Sequence, residues 1–188
     1  MDYSIIDRAI RFAVDAHRGQ LRKDGAPFIL HPLEDAAIVG SMTNDPEIIS
    51  AAVLHDTVED TPVTPEDIKE NFGERVYELV MHETENKRPE MPPSESWKIR
   101  KEESLDSLAK SDDPAVKMLW LGDKLSNIRA LHRQFFSDGE IVFQRFNVTD
   151  VQEHKWYYGA VLELLKALSG CSAYEEYSRL YHDIFDRF

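Results

Sequence analysis

An all-α fold is predicted by three features of this sequence. Apolar residues recur at helical spacing in almost every segment, as in Ile6, Ile10 and Ala13 or Leu121, Leu125 and Ile128. Helix starts are written out as proline after a short polar residue: Asp45-Pro46-Glu47, Thr64-Pro65-Glu66-Asp67 and Asp113-Pro114. No run alternates apolar and polar residues as a half-buried strand would, and there is no internal repeat or low-complexity block.

Taken in order, Ser4 is expected to cap a helix over Ile5–His17, with Ile6, Ile10, Ala13, Val14 and His17 near one face and Gly19 as the stop. Gln20–Phe28 reads as a polar loop turned by Asp24-Gly25 and Pro27. His31-Pro32 opens a second helix, and Asp45-Pro46-Glu47 a third that is expected to run unbroken through Asp60. Thr64 starts the next, its acidic first turn suited to the helix dipole. After Phe72-Gly73-Glu74, the residues Val76, Leu79 and Val80 mark another helix. The Pro-rich, charged Asn86–Ser94 is expected to be a mobile loop, with Ser94 capping a helix to about Lys110. A helix follows Asp113-Pro114, an irregular stretch spans Phe135–Thr149, and two closing helices cover Val151–Leu168 and Ala173–Phe188. The aromatics Trp156, Tyr157, Tyr158, Tyr174, Tyr177 and Tyr181 read as core and interface residues.

At 188 residues, with 42% hydrophobic and 30% charged residues, one globular domain over 1–188 is expected. A single cysteine, Cys171, excludes an internal disulfide and fits a reducing cytoplasm. The start lacks the basic and apolar regions of a signal peptide, and no apolar run reaches membrane-spanning length. A net charge of -13 speaks against nucleic acid, whose binding rests on phosphate neutralisation. A small anionic ligand stays compatible, because a metal ion and a few cations can reverse the field in one cleft.

The chemistry-bearing residues gather in Leu54-His55-Asp56-Thr57-Val58-Glu59-Asp60. On an unbroken helix, His55 and Glu59 share one face, and Asp56 and Asp60 the next. Three separated segments could feed one divalent ion: His31, the pair His55-Asp56, and Asp123. Two imidazoles and two carboxylates suit Mn2+ or Fe2+, and the lack of cysteine ligands argues against structural zinc. Four ligands on a six-coordinate ion leave room for water and a phosphate oxygen. Glu59 and Asp60 stand beside as candidate acid–base groups. Arg22-Lys23 could meet phosphates, and Asn127, four residues after Asp123, could face the same cleft.

In this order the motifs His17-Arg18-Gly19-Gln20-Leu21-Arg22-Lys23, Pro27-Phe28-Ile29-Leu30-His31-Pro32, Leu54–Thr61 and Gly122-Asp123-Lys124-Leu125-Ser126-Asn127-Ile128-Arg129 occur over the first two-thirds of the chain. The series resembles the HD-type hydrolase domain of Rel/Spo homologue proteins, in the form called a small alarmone hydrolase. The resemblance implies an HD-domain helical bundle and Mn2+-dependent removal of the 3′-diphosphate from ppGpp or pppGpp. It further implies one ion per chain, Fe2+ or another divalent ion being an alternative, held by His31, His55, Asp56 and Asp123. Glu59 and Asp60 match the pair that activates water; Arg22, Lys23, Asn127 and Arg129 match substrate-contacting positions. Three positions depart from the pattern: Trp120 where lysine is frequent, Gly122 where alanine is usual, and Ala130 in place of threonine. These departures leave the metal site intact and keep an adenine alarmone or another nucleotide 3′- or 2′-phosphate as an alternative substrate, NADPH among the candidates; a non-catalytic nucleotide-sensing module is a separate alternative function. The resemblance implies a hydrolase without its own synthetase; self-association is left open.

Overall fold

The computed structural model describes residues 2–188. Among them no strand forms; one isolated antiparallel bridge joins Leu21 and Pro27. The chain divides into two compact units. The first runs to Glu85 and adds Asp113–Asp123; the second takes Asn86–Asp112 and Lys124–Phe188.

In the first unit, α1 (Ser4–Ala16) and α2 (Leu30–Gly40) both pack on α3 (Pro46–Leu54). The chain from Ile48 to Leu54 explains why: with Ser50, every residue but Ile49 is buried, so α3 is a central helix covered on several sides. After a short α4 (Thr57–Asp60), α5 (Pro65–Phe72) and α6 (Glu74–Glu83) pack on each other, and α6 returns to α3. Thr64 closes a capping box with Asp67 at the start of α5. Gly73 (φ +88°) makes the sharp step into α6, a conformation that disfavours any other residue.

In the second unit, α7 (Pro93–Lys110) packs on α9 (Val151–Leu164), which also meets α10 (Ser172–Phe185). Tyr157, Tyr158, Tyr174 and Tyr177 are buried there as expected. The hydroxyls of Tyr177 and Tyr174 donate to the carbonyls of Tyr158 (3.0 Å) and Leu162 (3.2 Å). The long helix α8 (Pro114–Asp138) contributes its first turns to the first unit and the rest to the second.

Several boundaries differ from the sequence expectation. Ser4 is the first helical residue and does not cap; its N–H instead reaches the Asp2 carboxylate at 2.9 Å. Val14 is exposed, off the buried face of α1. Pro93 begins α7, so Ser94 lies inside the first turn and makes no cap. Helix α8 continues through Phe135–Asp138 and passes into a 3-10 turn over Gly139–Arg145. The largest difference is the break of the third helix at His55–Asp56. The Thr57 hydroxyl donates to the Leu54 carbonyl at 2.6 Å, and His55 Nδ1 lies 2.8 Å from the Ala52 carbonyl. Side chains thus compete for carbonyls that an unbroken ladder would use.

Candidate metal centre

The first unit brings His31, His55, Asp56 and Asp123 to one point. His31 sits in the first turn of α2, His55 and Asp56 in the break between α3 and α4, and Asp123 on α8. His31 Nε2 lies 3.1 Å from Asp123 Oδ1 and 3.5 Å from Asp56 Oδ2. His55 Nε2 lies 3.1 Å from Asp56 Oδ2 and 3.8 Å from Asp123 Oδ1. The two imidazoles stand nearly perpendicular, 5.1 Å between centroids. His31, His55 and Asp123 are buried, whereas Asp56 keeps partial exposure.

His55 (φ −53°, ψ −41°) and Asp56 (φ −87°, ψ −6°) keep helical backbone angles through the turn between α3 and α4, and both side chains reach the cluster from there. His55 Nδ1 faces the Ala52 carbonyl, which can only accept, so the hydrogen belongs on Nδ1. Nε2 is then a bare lone pair, buried and without a hydrogen bond, directed at carboxylate oxygens that also only accept. Lone pairs facing one another from three segments at about 3 Å are what the coordination edges of an ion with about 2.1 Å bonds require. The residues present therefore fit a divalent cation.

In the metal-free protein, protons take that place. Burial opposes charge on His55, yet the carboxylates of Asp56, Asp35 and Asp123 outweigh it and raise its pKa well above the usual value. Burial pushes Asp56 up, but His55 and His31 prevail and hold it below the ordinary carboxylate range.

Glu59 stands on α4, where its carboxylate accepts the Glu85 N–H at 3.0 Å. Burial, then the charge of Asp56, lifts its pKa to about 7. Asp60 closes a helical turn onto the Asp56 carbonyl at 2.9 Å. Its own carbonyl accepts from Gln20 Nε2 at 2.8 Å, and Gln20 Oε1 lies 2.8 Å from His17 Nδ1. His17, buried and stacked on Phe28, thereby ties the base of the Gln20–Phe28 loop to α4. Arg22 and Lys23 ride on that loop, which is a small hairpin: Arg22 N–H donates to the Ala26 carbonyl at 2.8 Å.

Asn127 and Arg129, expected from the sequence to face substrate, both lie on α8. Asn127 is one helical turn on from Asp123. Arg129 makes a two-pronged pair with Glu176, Nε and Nη2 lying 2.8 and 2.6 Å from its oxygens. Glu176 thus holds the Nε–Nη2 edge of the Arg129 guanidinium. Trp120, at the first departure from the family pattern, is 2% exposed and belongs to the core. Two acids that sequence reasoning missed stand behind His55: Asp35 and Glu83 group with it within 4.8 Å. The available signal was the spacing, since Asp35 follows His31 by four residues on the same helix.

The raised pKa of Glu59 has a measurable consequence for the metal-free fold. The unfolded chain loses this proton near 4.5 and the folded chain near 7, so the folded state holds more protons between those values. Stability then falls as pH rises across that window, by about 2–3 kcal/mol from this group. Urea titrations of chelator-treated protein at pH 5 and pH 8 should show this loss, and Glu59→Gln should remove that part of it. An identical pH dependence in the variant would show that Glu59 does not titrate as described.

Comparison with known proteins gives three kinds of likeness. Residues 9–143 match the HD domain family. The Aquifex aeolicus protein named guanosine-3′,5′-bis(diphosphate) 3′-pyrophosphohydrolase is 43% identical over 126 residues, which are 67% of this chain and 18% of that protein. The chain spans less than a fifth of the length of the curated relatives it matches. A crystal structure from Listeria monocytogenes EGD-e superimposes with a TM-score of 0.72 at 31% identity, covering 83% of this chain and 99% of that one. A metazoan orthologue of SpoT, described as hydrolysing ppGpp, gives a TM-score of 0.72 at 24% identity over 100% of this chain and 97% of its own; that likeness is one of fold.

Proposed function

This chain belongs to the HD-domain family, and we propose that it is a Mn2+-dependent 3′-pyrophosphohydrolase that converts ppGpp or pppGpp to GDP or GTP and pyrophosphate. The observation that carries the reading is the convergence of two imidazole and two carboxylate donors beside a carboxylate with a pKa near 7. The name of the Aquifex relative supports the substrate class.

His31, His55, Asp56 and Asp123 would hold the ion. When bound, it would polarise the phosphoryl group and acidify a water. Glu59 would take the proton of the attacking water: a carboxylate with a pKa near neutrality is ionised often enough to act and basic enough to accept. Asp60 keeps the acidic pair in register through the Gln20 tie and adds to the negative field that raises Glu59. Arg22 and Lys23 would meet the nucleotide and its phosphates, Asn127 would donate to the substrate, and Arg129 would contact it from its pair with Glu176. The protein would act in the cytoplasm on a free nucleotide; no helix among the described residues is long and apolar enough to cross a membrane.

Incubation of the Mn2+-loaded protein with ppGpp, pppGpp, pppApp and NADPH tests the reading. Guanine alarmones should give the highest kcat/KM, with release of pyrophosphate. A ranking led by pppApp or NADPH would move the substrate while keeping the site. Mn2+ binding with turnover of none of the four would favour a nucleotide sensor.

A further inference from the structure

Behind His55 lies a buried acid that no step above uses. Asp35 is 0% exposed, and neither carboxylate oxygen makes a hydrogen bond. Such a group is costly to bury, so its presence asks for a compensating positive charge. His55 Nδ1 lies 3.3 Å from Asp35 Oδ2, and Glu83 stands in the same cluster. The seat of the carboxylate is made by a missing side chain. A Cβ on Gly122 would fall 2.0 Å from Asp35 Oδ1 and 2.8 Å from Val39 Cγ2. Gly122 immediately precedes Asp123, so Asp35 is wedged between the imidazole of one donor and the backbone beside another.

We propose that Asp35 is a positioning residue for the metal centre: its carboxylate, admitted by Gly122, places negative charge on the Nδ1 edge of His55 and strengthens Nε2 as a donor to the divalent ion. The Ala52 carbonyl fixes which nitrogen carries the hydrogen, and Asp35 supplies the charge. A cation drawing electrons through the ring makes Nδ1–H more positive, the part that the second proton of His55 plays beside Asp35 in the metal-free protein. This inference rests on the proposed metal-centre reading.

Asp35→Asn keeps the shape and removes the charge. It should weaken Mn2+ binding 10- to 100-fold, measured by calorimetry. The metal-free variant should melt within a few degrees of wild type, because the amide keeps the shape and avoids burying a carboxylate, whose pKa burial already raises. In protein loaded with diamagnetic Zn2+, the His55 Nδ1–H resonance should shift relative to wild type. A purely structural role would lower stability and affinity together and leave that resonance unmoved. Gly122→Ala provides a second route, since its methyl group drives the carboxylate from its seat. Its Mn2+ affinity should fall, and adding Asp35→Ala should cost little more. Wild-type affinity in Asp35→Asn would overturn the inference, as would fully additive losses in the Asp35→Ala/Gly122→Ala pair. These outcomes are separable from the proposed activity: a chain that binds Mn2+ in an Asp35-dependent way but leaves ppGpp intact keeps the inference and loses the function. A wild-type chain that binds no Mn2+ overturns both.

Discussion

Glu59→Gln should lower kcat on ppGpp by about 10²- to 10⁴-fold while Mn2+ binding stays within about threefold of wild type. The substitution is close to isosteric, and its amide oxygen can still accept the Glu85 N–H that holds the native carboxylate at 3.0 Å. Position is therefore kept and basicity lost. Metal affinity is spared because Glu59 is not one of the four donors that face each other at 3.1 to 3.8 Å. The pH profile adds a second readout. A base must be deprotonated, so kcat/KM should rise with pH through the pKa of Glu59. That pKa is about 7 without metal, lifted by burial and then by Asp56. A cation offsets the Asp56 charge, so the limb in the loaded protein should lie below about 7. The limb should vanish in Glu59→Gln. Undiminished turnover in the variant would remove Glu59 from the chemistry and leave Asp60 as the carboxylate to test next.

What could be read from the chain and what could not divide along physical lines. Helix starts were legible because capping is local: Asp45 accepts the Glu47 N–H and Thr64 boxes with Asp67, both within three residues. The clustering of His31, His55, Asp56 and Asp123 was legible because imidazole and carboxylate side chains in a fixed order carry their own chemistry. The break at His55–Asp56 was not, since periodicity continues through it. The competitors there are the Thr57 hydroxyl and the His55 ring, each taking a carbonyl three residues back. Spacing predicted that Glu59 would share a helical face with His55, whereas Glu59 instead belongs to a separate short helix. Asp35 was missed for a related reason. An acid in the Glu34-Asp35 pair reads as solvated, and the absence of a Cβ at Gly122, some ninety residues away, makes room for Asp35 inside. Arg129 shows the limit of motif reading: its side chain is on the expected helix, but its guanidinium is engaged by Glu176.

His55→Ala and Asp123→Ala should each abolish stoichiometric Mn2+ binding, reduce turnover to background, and cancel the stabilisation that the ion gives the wild type. That stabilisation is about 2.7 kcal/mol when free Mn2+ is 100 times its Kd. Protons compete with the ion in the wild type. His55 must be neutral to coordinate, and the surrounding carboxylates raise its pKa well above the usual value, so a proton contests Nε2 across the neutral range. Mn2+ affinity should therefore fall by up to about tenfold per unit of pH as pH drops below that pKa. Calorimetry in buffers of different ionisation enthalpy should report net proton release on binding. Binding without proton release, or one equivalent of Mn2+ retained by His55→Ala, would place the ion somewhere other than between these four side chains. The expected coupling makes the centre self-guarding: the acids that attract the cation also hold the protons that stabilise it when empty, and each species must displace the other.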